Sequence, residues 1–125
     1  MAIPASRTVK RTKARYAVVI SSDPVVLDAC RYAASIGASA IVEPCEVAEL
    51  TNTVATWQPL AIVMTSSVYE FDRAEFDDLA RDVRGKIIAL PEPIPSDASL
   101  REWLVARMRE ASRYRAATND DGDNE

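Results

Sequence analysis

Four short apolar runs of strand type recur along the chain, and each is followed by residues spaced for a helix. The runs are "YAVVI" (16–20), "SAIVEP" (39–44), "LAIVM" (60–64) and "KIIAL" (86–90). They are rich in Val and Ile and hardly alternate, as strands buried on both faces of a parallel sheet do. The intervening segments carry apolar residues at steps of three and four, the spacing of one helix face. These are Val26, Leu27, Cys30, Ala33 and Ala34; then Val47, Leu50, Val54 and Trp57; then Phe76, Leu79, Ala80 and Val83; and last Leu100, Trp103, Leu104, Met108 and Ala111. A βαβαβαβα order with right-handed crossovers leads to one architecture. It is an α/β fold: a doubly wound, mostly parallel open sheet of four strands, or five, with helices on both faces.

The punctuation agrees with this layout. Asp23-Pro24 is a helix start, with an N-capping carboxylate before a proline at the first helical position. Gly37 and Gly85 are expected to end the first and third helices, and Pro59 to break the second. "TSSVYEFD" (65–72) reads as a long loop, and "PEPIPSD" (91–97) as a proline-rich connection. With 125 residues the chain has room for one domain, and its 48% apolar content is enough for a core.

Charge is unevenly distributed. Residues 7–15 hold Arg7, Lys10, Arg11, Lys13 and Arg15 with no acid, whereas the last residues hold Asp120, Asp121, Asp123 and Glu125. Three parts are expected: a mobile basic arm (1–14), a folded domain (15–116) and a disordered acidic tail (117–125). No apolar run is long enough for a membrane span and no export signal precedes the domain, so the expected location is the cytoplasm. Arg outnumbers Lys twelve to three, a compositional pointer to a GC-rich bacterial genome.

Most chemistries lack their parts. The chain has no histidine and two cysteines, Cys30 and Cys45, which removes a Ser-His-Asp triad and a zinc site of the usual kind. Cys30 falls on an apolar helix face and Cys45 follows a strand; both are expected to be inert thiols. Neither GxxxxGK[ST] nor GxGxxG occurs. A Ser–Lys pair would have to draw on Lys86, which starts a strand at the end opposite the serines.

In an open parallel sheet, function gathers beyond the carboxyl ends of the strands. Those ends are Ser21-Ser22-Asp23, Pro44-Cys45-Glu46, Thr65-Ser66-Ser67 and Pro91-Glu92-Pro93. For Ser21, Ser22 and Asp23 the first reading is helix capping, and a ligand or partner contact is the second. Tyr69 and Phe71 are aromatic anchors for a partner if exposed, and core residues if not. Arg101, Arg107, Arg109, Arg113 and Arg115 are expected to form a basic outer face on the last helix, either solvated or docked to a partner.

Three segments resemble response-regulator receiver domains. "AVVISSDPVVLDACRYAASIG" is similar to the start of that family, where the first strand ends in a pair of metal-binding acids. "WQPLAIVMT" is similar to the third strand, which leads to the phosphorylated aspartate. "LPEPIPSDASLREWLVARMREA" is similar to the Lys-Pro strand end and the last helix. The resemblance spans about residues 15–113.

The resemblance implies a degenerate member, or pseudo-receiver. Ser21 and Ser22 stand where the acid pair belongs, with Asp23 retained. Thr65 stands at the phosphoacceptor position and Glu92 at the lysine position. The interval from Thr65 to Glu92 is about half the family's, so a strand–helix unit is missing: either an inner one, or the fifth strand with "KIIALP" as the fourth. If Glu92-Pro93 matches Lys-Pro, its peptide bond is expected to be cis.

Receiver phosphorylation needs a carboxylate nucleophile, Mg²⁺ held by several carboxylate oxygens, and a lysine that neutralises the phosphoryl group. The expectation is therefore a non-enzymatic regulatory domain of bacterial signalling, related to two-component systems. It would use no cofactor and no metal, and would act by protein–protein contact, with a homodimer among the options. One alternative is a nucleic-acid-associated regulator using the basic arm, residues 7–15, whose affinity would fall with salt. The other is a small enzyme with Ser/Thr/Asp chemistry.

Overall fold

A computed structural model describes residues 14–123, with side chains through Thr118. The expected arm and its basic residues before Ala14 lie outside the described residues. Four strands form one sheet: β1 (Arg15–Ile20), β2 (Ala40–Cys45), β3 (Ala61–Thr65) and β4 (Lys86–Leu90). Their order is β2-β1-β3-β4, and every pair is parallel. The helices are α1 (Pro24–Ala38), α2 (Leu50–Trp57, preceded by a 3-10 turn at Val47–Glu49), α3 (Ser66–Phe71), α4 (Arg73–Asp82) and α5 (Asp97–Asp123). This is the doubly wound α/β sheet expected from the pattern, with four strands.

Each face of the sheet has its own core. On one, α1 and α5 pack over Ala17, Val19, Ala61, Val63, Ile88 and Leu90. On the other, Leu50 and Val54 of α2 and Phe76 and Ala80 of α4 cover Val18, Ile62 and Met64. Leu100, Leu104, Met108 and Ala111 of α5 are completely buried. Truncating Leu104 to Ala would cost about 2–5 kcal/mol, the range for cavity-forming core changes.

Several boundaries differ from expectation for identifiable reasons. Gly37 lies inside α1, and Ser39 is the left-handed cap, with φ 51°. A Cβ on Gly37 would sit 2.8 Å from the Val105 carbonyl oxygen and 3.0 Å from Met108 Cβ. The glycine is there so that α1 and α5 can touch. Past α4 the left-handed residue is Arg84, with φ 57°. Gly85 instead lets the chain pass the Pro59 carbonyl, 2.7 Å from where its Cβ would be.

Residues 65–72 are not a loop. They hold α3, whose first turn is capped by the Thr65 hydroxyl accepting from the Val68 amide at 3.4 Å. The last helix continues to Asp123, past the boundary at 116. Arg15, the first residue of the expected domain, opens β1 and donates to Ser112 Oγ at 2.6 Å. Among the described residues no helix is long and apolar enough to cross a membrane.

Candidate functional site

The carboxyl ends of β1, β3 and β4 converge on one edge of the fold. β1 ends at Ile20, and the chain turns into α1 through Ser21, Ser22 and Asp23. Asp23 Oδ1 accepts the Val25 amide at 2.9 Å, and Ser21 Oγ accepts the Asp23 amide at 3.1 Å. Both side chains thus serve the open amides at a helix start, the capping arrangement read from sequence. Ser22 is exposed beside them.

Between β1 and β3 the chain reverses its direction of winding, and crevices of open α/β sheets form there. On the β3 side Thr65 caps α3, and its hydroxyl also lies 3.4 Å from Ser67 Oγ. On the side of β3 away from β1, the turn after β4 brings in Glu92, followed by a cis bond to Pro93, the isomer expected at this position. The Glu92 carboxylate accepts three hydrogen bonds across the gap. They come from the Ser67 amide at 2.9 Å, the Ser66 hydroxyl at 3.0 Å and the Ser67 hydroxyl at 3.3 Å. These donors, the Ser67 amide first, hold the carboxyl below its ordinary pKa.

Sequence reasoning grouped Thr65 and Glu92 only through the family resemblance and treated Ser66 and Ser67 as loop residues. The structure joins Thr65, Ser66, Ser67 and Glu92 into one hydrogen-bonded cluster. Ser21, Ser22 and Asp23 form a separate cap on α1. One sequence signal for α3 is present: 65–72 contains neither Gly nor Pro and begins Thr-Ser-Ser, all good capping residues.

The other candidate contacts divide. Phe71 is 89% exposed, as a partner anchor requires. Tyr69 is half-buried against the α4 side of the core, and its hydroxyl donates to Asp77 Oδ1 at 2.8 Å. It is a packing residue rather than an exposed anchor.

The arginines of α5 do not share one outer face. Arg101 stacks on Tyr32 of α1, 5.1 Å from the ring centroid, and lines a groove with Arg109. Arg107 lies on the opposite flank, over Trp103, and pairs with Glu110 at 3.7 Å. Arg115 turns inward. Its guanidinium donates to the carbonyls of Gln58 (3.0 Å), Pro59 (2.9 Å), Val83 (2.7 Å) and Arg84 (3.2 Å). A cation there ties off the carboxyl ends of α2 and α4.

A cleft of about 650 Å³ opens between the tips of β1 and β2, lined by Ile20, Leu27, Pro44, Cys45 and Val47. Cys45 is half-buried, and burial pushes its thiol pKa up. Cys30 is fully buried and pushed up to about 12 by the same cause. Among the described residues no three His, Cys, Asp or Glu side chains come together as metal ligands. The fold is an α/β domain of flavodoxin-like, receiver-type layout. No family model, curated protein or solved structure matches the chain.

Proposed function

We propose that this chain is a receiver-like regulatory domain that has given up phosphotransfer and acts by binding another protein. One observation carries the reading: the Glu92 carboxylate occupies the corner between the β3 and β4 ends, bonded to the Ser67 amide at 2.9 Å. In a receiver that corner, beside the phosphoacceptor position, must accept a phosphoryl group. Here it holds a fixed negative charge of the chain's own, and a second anion at this spot would meet Coulomb repulsion. The remaining features point the same way. The Glu92 carboxylate reaches Thr65 only through the Ser67 hydroxyl, and the Thr65 hydroxyl is engaged in capping α3. Asp23 is the one carboxylate left at the end of β1, and it is already engaged in capping α1.

The strand ends are then a contact surface rather than a reaction centre, and Phe71, exposed next to the cluster, is its apolar anchor. No catalytic step is assigned to the domain. Incubation with a small acyl phosphate labelled on phosphorus, in the presence of Mg²⁺, tests this. The chain should retain no label. Retained label that disappears in Thr65→Ala or Asp23→Ala would overturn the proposal.

A further inference from the structure

Charge is segregated along the strand direction. The segments that leave the carboxyl ends of the strands are residues 21–24, 46–49, 66–73 and 91–97. They hold Asp23, Glu46, Glu49, Glu70, Asp72, Glu92 and Asp97 against a single cation, Arg73, which pairs with Glu70 at 3.4 Å. The remainder of residues 15–118 carries ten bases and eight acids. One end of the sheet is therefore acidic, and the rest of the domain is slightly basic. Helix starts oppose the acids there, each with about half a positive charge. Even all five helices together do not offset seven carboxylates against one guanidinium.

The cleft between the tips of β1 and β2 opens on this acidic end. Ile20, Leu27, Pro44, Cys45 and Val47 give it apolar walls, and Val47 is 48% exposed. The charged groups that line it are Glu46 and Glu49, both exposed, and no cation lines it. The Glu49 carboxylate accepts the Glu46 amide at 3.5 Å, which uses one of its several lone pairs and leaves its charge facing solvent. Two other concavities carry cations. The groove between α1 and α5 holds Arg101 and Arg109 with Glu102, and the hollow at the amino ends of the strands holds Arg15, Arg84 and Arg115 with Asp82.

On the reading that the strand ends bind another protein, we infer that this cleft takes an aliphatic side chain of the partner, from a segment with Lys or Arg on both sides of it. Each half of that description answers a feature of the cleft. Apolar walls gain by covering an apolar group. Carboxylates at the rim, in a region with one cation, attract a basic segment and repel an acidic or phosphorylated one. The same charges steer a basic segment here and away from the concavities that hold arginine. At about 650 Å³ the cleft has the size of a binding pocket.

Fluorescence anisotropy of the full chain with three pools of labelled short peptides tests it. The first pool has a central Leu, Ile or Val between Lys and Arg residues, the second has Glu in place of the bases, and the third keeps the bases around a central Ser. The first should bind most tightly, and its affinity should fall about tenfold as salt shortens the Debye length from about 10 Å to about 3 Å. Glu46→Gln with Glu49→Gln keeps the acceptors of the turn, removes both charges and should weaken binding about tenfold. Val47→Ser should weaken it too, with an unchanged circular dichroism spectrum. On the wild type, bound peptide should slow alkylation of Cys45. Absence of binding by the first pool, equal binding by the second or third, or binding that neither responds to the double variant nor shields Cys45 would overturn the inference. So would self-association of the full chain that the double variant abolishes, because the occupant would then be a second copy. None of these results restores phosphotransfer, whose loss is overturned only by retained label.

Discussion

Glu92 and Ser67 are joined across the gap between β3 and β4, the carboxylate accepting the Ser67 amide at 2.9 Å and its hydroxyl at 3.3 Å. The bond fixes the turn after β4 to the first turn of α3. On the proposed receiver-like reading, it also places a negative charge at the position where that family carries a lysine.

The Glu92–Ser67 contact makes a pH prediction. The folded pKa of Glu92 lies below the ordinary 4.5, so its contribution to stability is present above that value and is lost as pH falls through the lower, folded one. The Ser67 amide resonance should shift with a midpoint below 4.5. Glu92→Gln should abolish that titration, and a midpoint at or above 4.5 in the wild type would contradict the contact.

Arg115 is predicted to be the most costly charged residue on α5 to remove. Arg115→Met keeps the stem but leaves four carbonyls without their donor, and hydrogen bonds to a charged group are worth about 1.5–3 kcal/mol net. Urea denaturation should show a lowered midpoint of that order. Arg115→Lys should recover only part of it, because one ammonium cannot span the carbonyls that the planar fork reaches. An unchanged midpoint in Arg115→Met would refute the role.

Gly37→Ala sets two effects against each other. Alanine improves helix propensity by about 1 kcal/mol. Its methyl group, however, would lie 2.8 Å from the Val105 carbonyl oxygen, which is backbone and cannot swing aside. Overpacking of this kind costs about 1–3 kcal/mol, so the net change should be destabilising. A raised thermal midpoint would mean that α1 and α5 are not in contact there.

The two thiols should separate kinetically. Cys30 is fully buried with a pKa pushed up to about 12, and Cys45 is half-buried with its pKa also raised. At neutral pH both are protonated, so an alkylating reagent should modify Cys45 slowly and Cys30 only when the chain unfolds. Equal rates under native conditions would contradict the packing of α1. The raised Cys30 value also means that stability, intact below the ordinary thiol value of 9.0, declines as pH rises from there toward 12.

The central strands β1 and β3 were legible because their middles are buried on both faces and need apolar residues at nearly every position; β4, buried through Ile88 and Leu90, matches "KIIAL" residue for residue. The capping role of Asp23 was legible because one carboxylate before a proline serves a local purpose. What sequence missed is non-local. Arg115 falls among exposed arginines, and only the meeting of α2 and α4 beneath it makes it a structural cation. Gly37 looked like a helix end because sequence does not show that the α5 backbone passes beside it. α3 is six residues long and has no apolar period, so its hydrogen-bonded first turn gave no signal of the kind that marks α1 or α5. Thr65 and Glu92 were singled out by resemblance, but the link through Ser66 and Ser67 required the fold.

The central claim is that the corner between β3 and β4 is closed to a phosphoryl group. Beryllofluoride, a phosphoryl mimic, should be titrated with Mg²⁺ into the labelled chain while the amides of Ser22, Thr65 and Ser67 are followed by two-dimensional NMR. The account predicts that all three remain unmoved, with the Ser67 amide still held by Glu92. A saturable, Mg²⁺-dependent shift of Ser67 and its neighbours would show that the corner accepts the mimic and would contradict it.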